Sequence, residues 1–178
     1  VFDISLSSEA DRMVNSRFDP EEVDRERTVV ISEREGNENE PHFLLGEAVQ
    51  NAAFTTHPYH HEVIGFKKDL LSITRDDLYQ HYQQYYHPGN AVLAVAGDFE
   101  IAPMLDKIRA NFGDIPGMEG ATGVIPEEPP LGQEKRVSVT GPGQTSYVQV
   151  SYRAPSANNP DFFELTVLDS LLTGPSSL

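Results

Sequence analysis

An α+β fold, with a sheet carrying helices on one face, is predicted by three features of this 178-residue chain. Apolar residues recur at helical spacing in several stretches, short strand-like runs fall singly between them, and glycine- and proline-rich turns punctuate the order. A content of 38% hydrophobic and 9% aromatic residues is ordinary for one soluble domain with a core. No apolar stretch approaches the ~20 residues that span a bilayer. The opening Val1-Phe2-Asp3-Ile4 reads as strand-like and lacks the basic and apolar regions of a signal peptide.

The elements follow in order. Leu6, Ala10, Met13 and Val14 are spaced roughly as on a helix. Phe18-Asp19-Pro20-Glu21-Glu22 then marks a helix start, with Asp19 as N-cap, Pro20 as first helical residue and Glu22 as the acid of a capping box. Glu21 and Arg25 stand at the four-residue spacing of a helical ion pair, and the helix is expected to reach Glu33 or beyond. Gly36 to Pro41 interrupts it, and Phe43, Leu44, Ala48, Val49 and Ala52 place a further helix after the interruption. Thr55 to Gly65 reads as loop.

Ser72 or Thr74 caps a helix through Leu78, Tyr82 and Tyr85 that His87-Pro88-Gly89-Asn90 stops. Ala91 to Ala96 is apolar throughout and predicts a strand buried on both faces. Met104, Leu105 and Ile108 place a helix over Ile101 to Phe112. Gly113 to Gln133 is a long irregular connection. Val137 and Val139 alternate with polar residues, as do Val148, Val150 and Tyr152, giving two strands about the Gly141-Pro142-Gly143 turn. Asn159-Pro160-Asp161 starts a last helix carrying Phe163, Val167, Leu168 and Leu171. No internal repeat is evident.

Acidic side chains number 28 against 13 basic, a formal charge of −15, which repels phosphate backbones and anionic membrane surfaces. Nucleic acid is therefore not expected as a partner. The same field serves solubility and would draw a basic peptide. The absence of cysteine excludes disulfides, thiolate zinc sites and a cysteine nucleophile. There is no phosphate-binding Gly-x-x-x-x-Gly-Lys loop and no Gly-x-Ser-x-Gly elbow. Arg153 reads either as a surface or salt-bridged arginine or as a group that meets a peptide carboxylate.

Glu26 and Glu33 lie seven residues apart, almost two helical turns, so both carboxylates share one helix face. Such a pair is either a set of solvated charges or part of a metal site. It cannot be a whole one, since catalytic zinc takes three protein ligands plus water. His57-Pro58-Tyr59-His60-His61 supplies no substitute, because Pro58 disfavours the helix that would align its histidines. His42, His81 and His87 share no face with one another.

The run Asp19 to Arg27, followed by Val29-Val30-Ile31 and Glu33, closely resembles the helix carrying the third zinc ligand in the pitrilysin and insulinase family of metallopeptidases, the mitochondrial-processing-peptidase-like inverzincins. Further segments resemble that family in order: Phe54 to Tyr59, Val63-Ile64-Gly65, Ile73 to Leu78, Tyr85 to Leu93, Gly97-Asp98, Val150 to Pro155, and Leu168 to Leu178. Nearly the whole chain is covered, least informatively at Gly117 to Gln133.

By that resemblance the sheet is mainly antiparallel and residues 1–178 form one incomplete metallopeptidase-like domain. Residues 1–70 are the remainder of its N-terminal peptidase segment and residues 71–178 the start of its C-terminal segment. Glu33 is implied as the carboxylate ligand of Zn2+ and Glu26 as a supporting acid. The His-x-x-Glu-His helix is expected upstream of Val1, with peptide-bond hydrolysis as the activity of the intact parent. This stretch alone is expected to be inactive and not to hold zinc tightly. The implied partners are a peptide or small protein substrate and a second family domain or subunit. A non-catalytic scaffold or peptide-binding subunit is the competing expectation; retention of both acids favours the enzyme.

Overall fold

The helix predicted to begin at Asp19-Pro20 does so: the Asp19 carboxylate accepts the Glu21 N–H at 3.0 Å, and its carbonyl accepts the Val23 N–H at 2.9 Å. The computed structural model describes residues 2–117, 123–141 and 144–173. Among them lie seven α-helices: α1 (Phe2–Asn15), α2 (Pro20–Asn37), α3 (Pro41–Ala53), α4 (Lys67–Ser72), α5 (Arg75–Tyr85), α6 (Ile101–Phe112) and α7 (Asp161–Thr173). Single 3-10 turns occur at Pro58–His60 and Pro88–Asn90. No helix among the described residues is long and apolar enough to cross a membrane.

No β-strand forms among the described residues, so the expected α+β fold with a mainly antiparallel sheet gives way to an all-helical one. Alternating or continuous apolar runs report a fit to a pleated, half-buried surface, whereas a strand also needs a neighbour in register to receive its N–H and C=O groups. Ala91 does adopt an extended backbone, at φ −129° and ψ 151°, but no ladder forms along the run that follows. Val92 is 97% exposed, and Val148 and Tyr152 are each 88% exposed. Pro142 and Gly143 of the expected turn, residues 118–122 of the connection, Val1 and residues 174–178 lie outside the described residues. The strand-like reading at the N-terminus is also corrected, since Phe2 to Ile4 belong to α1.

The chain divides into two compact units, one of residues up to Gly36 with Ile64–Ile125, the other of Asn37–Val63 with residues from Pro126 on. In the first, α1 packs on α6, and its buried apolar residues are Leu6 and Ala10 of α1, Tyr82 of α5 and Met104 of α6. Lys107 donates to Asp3 at 2.6 Å, and that bond with its charge holds the Asp3 carboxyl below its usual range. Gly97, at φ 155°, passes so close to Phe2 that a Cβ there would meet Cζ of that ring at 2.8 Å.

The elbow between α1 and α2 is clamped to α5. The Tyr82 hydroxyl donates to the Arg12 carbonyl at 2.8 Å and accepts the Ser16 N–H at 3.3 Å. Phe18, at a positive φ of 52°, sets its ring 5.2 Å from that of Tyr82, and Arg75 donates to its carbonyl at 2.9 Å. Thr74, rather than Ser72, caps α5 through a full capping box with Asp77, whose carboxyl is held low by the Thr74 hydroxyl and then by its N–H.

The second unit holds α3, the turn at Pro58–His60 and α7. The Phe54 N–H closes α3 onto the Gln50 carbonyl at 2.9 Å, and the Asn159 side chain accepts the Asp161 N–H at 2.9 Å to start α7. Phe163, Val167, Leu168 and Leu171 share α7 as expected, yet all four are exposed.

Candidate functional site

Helix α2 runs unbroken through both sequence-selected acids. Its arginines are engaged: Arg25 with Glu22 at 2.9 Å, Arg27 with Asp24 at 2.7 Å and with the Ile73 carbonyl at 2.6 Å. Arg25 thus takes Glu22 rather than the expected Glu21, and Glu22 serves that pair instead of completing the capping box. Buried Arg34 donates to the carbonyl of Gly65, a residue in the left-handed region at φ 75°, at 2.6 Å. Lys67 meets Glu35 at 2.5 Å.

Glu26 and Glu33 are solvent-exposed and, among the described residues, enter neither an ion pair nor a hydrogen bond. They share this with the Glu21 carboxylate, whereas Glu22 and Asp24 pair with Arg25 and Arg27 and Glu35 pairs with Lys67. No group of three His, Cys, Asp or Glu among the described residues is placed to hold a metal ion. The donor set present therefore does not fit a complete zinc site. His57, His60 and His61 lie in or beside a three-residue 3-10 turn, not on a helix, and the His57 ring accepts the Tyr59 N–H at 3.1 Å.

In the second unit an open cavity of about 320 Å³ lies among Leu44, Leu45, Val139, Thr140 and Tyr147, and neither Glu26 nor Glu33 lines it. A denser constellation surrounds Glu128, which sequence reasoning missed. Its carboxylate is 7% exposed and accepts the N–H groups of Thr55 at 2.8 Å, Thr56 at 2.7 Å and His57 at 2.7 Å. The Thr55 hydroxyl donates at 2.8 Å, and Arg153 stands 3.3 Å away. Burial pushes this carboxyl up, but the backbone N–H groups of His57, Thr56 and Thr55 and the Thr55 hydroxyl outweigh it and bring the pKa down to about 2. Arg153 is salt-bridged in the structure, and its guanidinium also stacks 4.4 Å from the Phe54 ring centroid. Nothing in Glu127-Glu128-Pro129-Pro130 announces this role, because every partner lies about seventy residues or more before it, or twenty-five after.

Residues 72–178 match the family described as the Peptidase M16 inactive domain. The chain belongs to the peptidase M16 family. Among its relatives is an uncharacterized zinc protease of Mycobacterium leprae, 29% identical over 97% of this chain and 39% of its own length. Another is a probable mitochondrial-processing peptidase subunit beta of Arabidopsis thaliana, 24% identical over 92% of this chain and 31% of its own. The crystal structure of a protease from Helicobacter pylori superposes with a TM-score of 0.63 at 30% identity, covering 71% of this chain and 32% of that one. The chain thus spans less than half the length of the relatives it matches. The resemblance to zinc metallopeptidases of the pitrilysin and insulinase type stands on these matches.

Proposed function

We propose that this M16 chain is part of a zinc-dependent metalloendopeptidase hydrolysing peptide bonds, with Glu33 the third zinc ligand of the intact protein and Glu26 its supporting acid. The observation that carries this reading is the pair of free, exposed carboxylates on one face of α2, beside relatives named zinc proteases. Seven residues of helix separate the two by about 10 Å along the axis, a long span for one ion to take both. One ligand and one orienting acid suit that spacing better.

Residues 1–70 belong on this reading to the N-terminal peptidase segment and 71–178 to the C-terminal one. The histidine ligands and the general base come from outside these residues, so the 178-residue chain alone neither holds zinc tightly nor hydrolyses peptides. The substrate is a peptide or small protein, and a second family domain or subunit completes the enzyme.

The test is zinc content and peptide hydrolysis of the full-length parent. Glu33→Gln is expected to lose stoichiometric zinc and activity together, while Glu26→Gln keeps the site with metal affinity weakened about 10- to 100-fold. Unchanged zinc in Glu33→Gln would remove Glu33 from the site. A second reading, a non-catalytic scaffold or peptide-binding subunit, is favoured by the match of residues 72–178 to an inactive-type domain. A wild-type parent that folds, binds peptide and holds no zinc would establish it.

A further inference from the structure

The Glu128 carboxylate meets five donors, and several of the contacts that shape its surroundings do not involve it. Helix α3 ends when the Phe54 N–H returns to Gln50, and the next residues then present successive N–H groups with no helical carbonyl to receive them. The far side of this turn is fixed by the His57 ring, which accepts the Tyr59 N–H at 3.1 Å. Arg153 is held in place independently of Glu128, by the Phe54 ring and by donation to the Ala53 carbonyl. Lys135 donates to the neighbouring Ala52 carbonyl at 2.7 Å, so two cations answer the negative end of α3.

Both carboxylate oxygens are used: Oε1 faces the Thr55 N–H, the Thr55 hydroxyl and Arg153, and Oε2 faces the Thr56 and His57 N–H groups. Five donors converging on two coplanar oxygens match a carboxylate, and concave runs of backbone N–H groups are general anion binders. We propose that Thr55, Thr56 and His57 with Arg153 form a carboxylate receptor that Glu128 fills in cis. Glu128 is then a latch holding residues 126–135 against the end of α3, and an incoming peptide carboxylate competes for the same donors. None of these groups belongs to the zinc site proposed above, so this inference stands or falls separately from it.

Limited trypsin digestion and amide NMR of the full chain test it, with acetate as the probe. In Glu128→Ala, cleavage after Lys135 and Arg136 is expected to rise about tenfold, because proteolysis follows the population of the opened segment. Acetate, but not equal chloride, should shift the Thr55, Thr56 and His57 amide resonances of Glu128→Ala without restoring protection, since it fills the donors but does not tether residues 126–135; in the wild type it should act only at higher concentration, in competition with Glu128. A peptide with a free C-terminus should act as acetate does and its amidated form should not; if only a capped glutamate peptide acts, the competing group is an acidic side chain. Wild-type cleavage rates in Glu128→Ala, or equal effects of acetate and chloride, would overturn the proposal. If Glu128→Ala does not fold, Glu128→Gln keeps the shape without the charge. Its three amide resonances should move upfield, and wild-type positions for all three would equally overturn the receptor.

Discussion

Glu33 and Glu128 are the same residue in opposite circumstances. Glu33 sits in regular helix, exposed and without a partner among the described residues; Glu128 sits in a proline-rich irregular stretch, nearly buried, beneath five donors. The difference lies in where a protein keeps spare N–H groups. Past the first turn of a helix each N–H is consumed by the carbonyl four residues before it, so a carboxylate there pairs with side chains, as Asp24 and Glu35 do, or faces outward. Beyond a helix end the backbone has N–H groups to give, and a carboxylate brought there from a distance collects several at once. An outward acid is free for an ion or partner, while a collected one holds the fold.

The contrast can be broken by truncating each acid. Glu128→Ala should give the largest fall in thermal stability, because it leaves five donors, the Arg153 charge among them, without their acceptor, while Glu33→Ala should stay within about 0.5 kcal/mol. Equal melting temperatures for the two variants would end the comparison. Acid sharpens it. Glu128 has a folded pKa of about 2 against an ordinary value of 4.5, so its contribution is complete above 4.5 and is lost as pH falls through the folded value. The melting-temperature gap between wild type and Glu128→Gln should therefore hold steady at neutral pH and narrow between those limits; a gap that stays constant through them would remove Glu128 as its source. The smaller effect lies in the first unit, where Tyr82→Phe removes two hydrogen bonds at the α1–α2 elbow and should cost about 1 kcal/mol in denaturant unfolding.

Much of the helical framework was legible, and for local reasons. Asp19-Pro20 and Asn159-Pro160-Asp161 each start a helix through side chains that reach N–H groups two residues on, and Thr74, one of the two caps the sequence offered for α5, does so three residues on. Spacing also placed Glu26 and Glu33 on one face. It did not select Glu22 over Glu21 as partner of Arg25, because three- and four-residue neighbours are equally near on a helix. Helix α4 was missed, since Lys67–Ser72 is too short to show a period and falls between loop signals. The strands at Ala91 to Ala96, Val137 to Val139 and Val148 to Tyr152 were misread because apolar patterning describes a surface suited to a sheet without supplying the neighbour that makes one.

By itself the sequence determined where α2, α3, α5, α6 and α7 lie, which acids share a face, and which family the chain resembles, all properties of neighbours in the chain or of ordered motifs. Only the tertiary structure decided that Glu128 is captured by Thr55, Thr56 and His57, that Arg153 completes the capture, and that the strand-like runs stay unpaired among the described residues. The physical reason is that hydrogen bonds between distant segments depend on which backbone groups the helices leave unspent and which segments are carried to them, and no local pattern encodes that meeting.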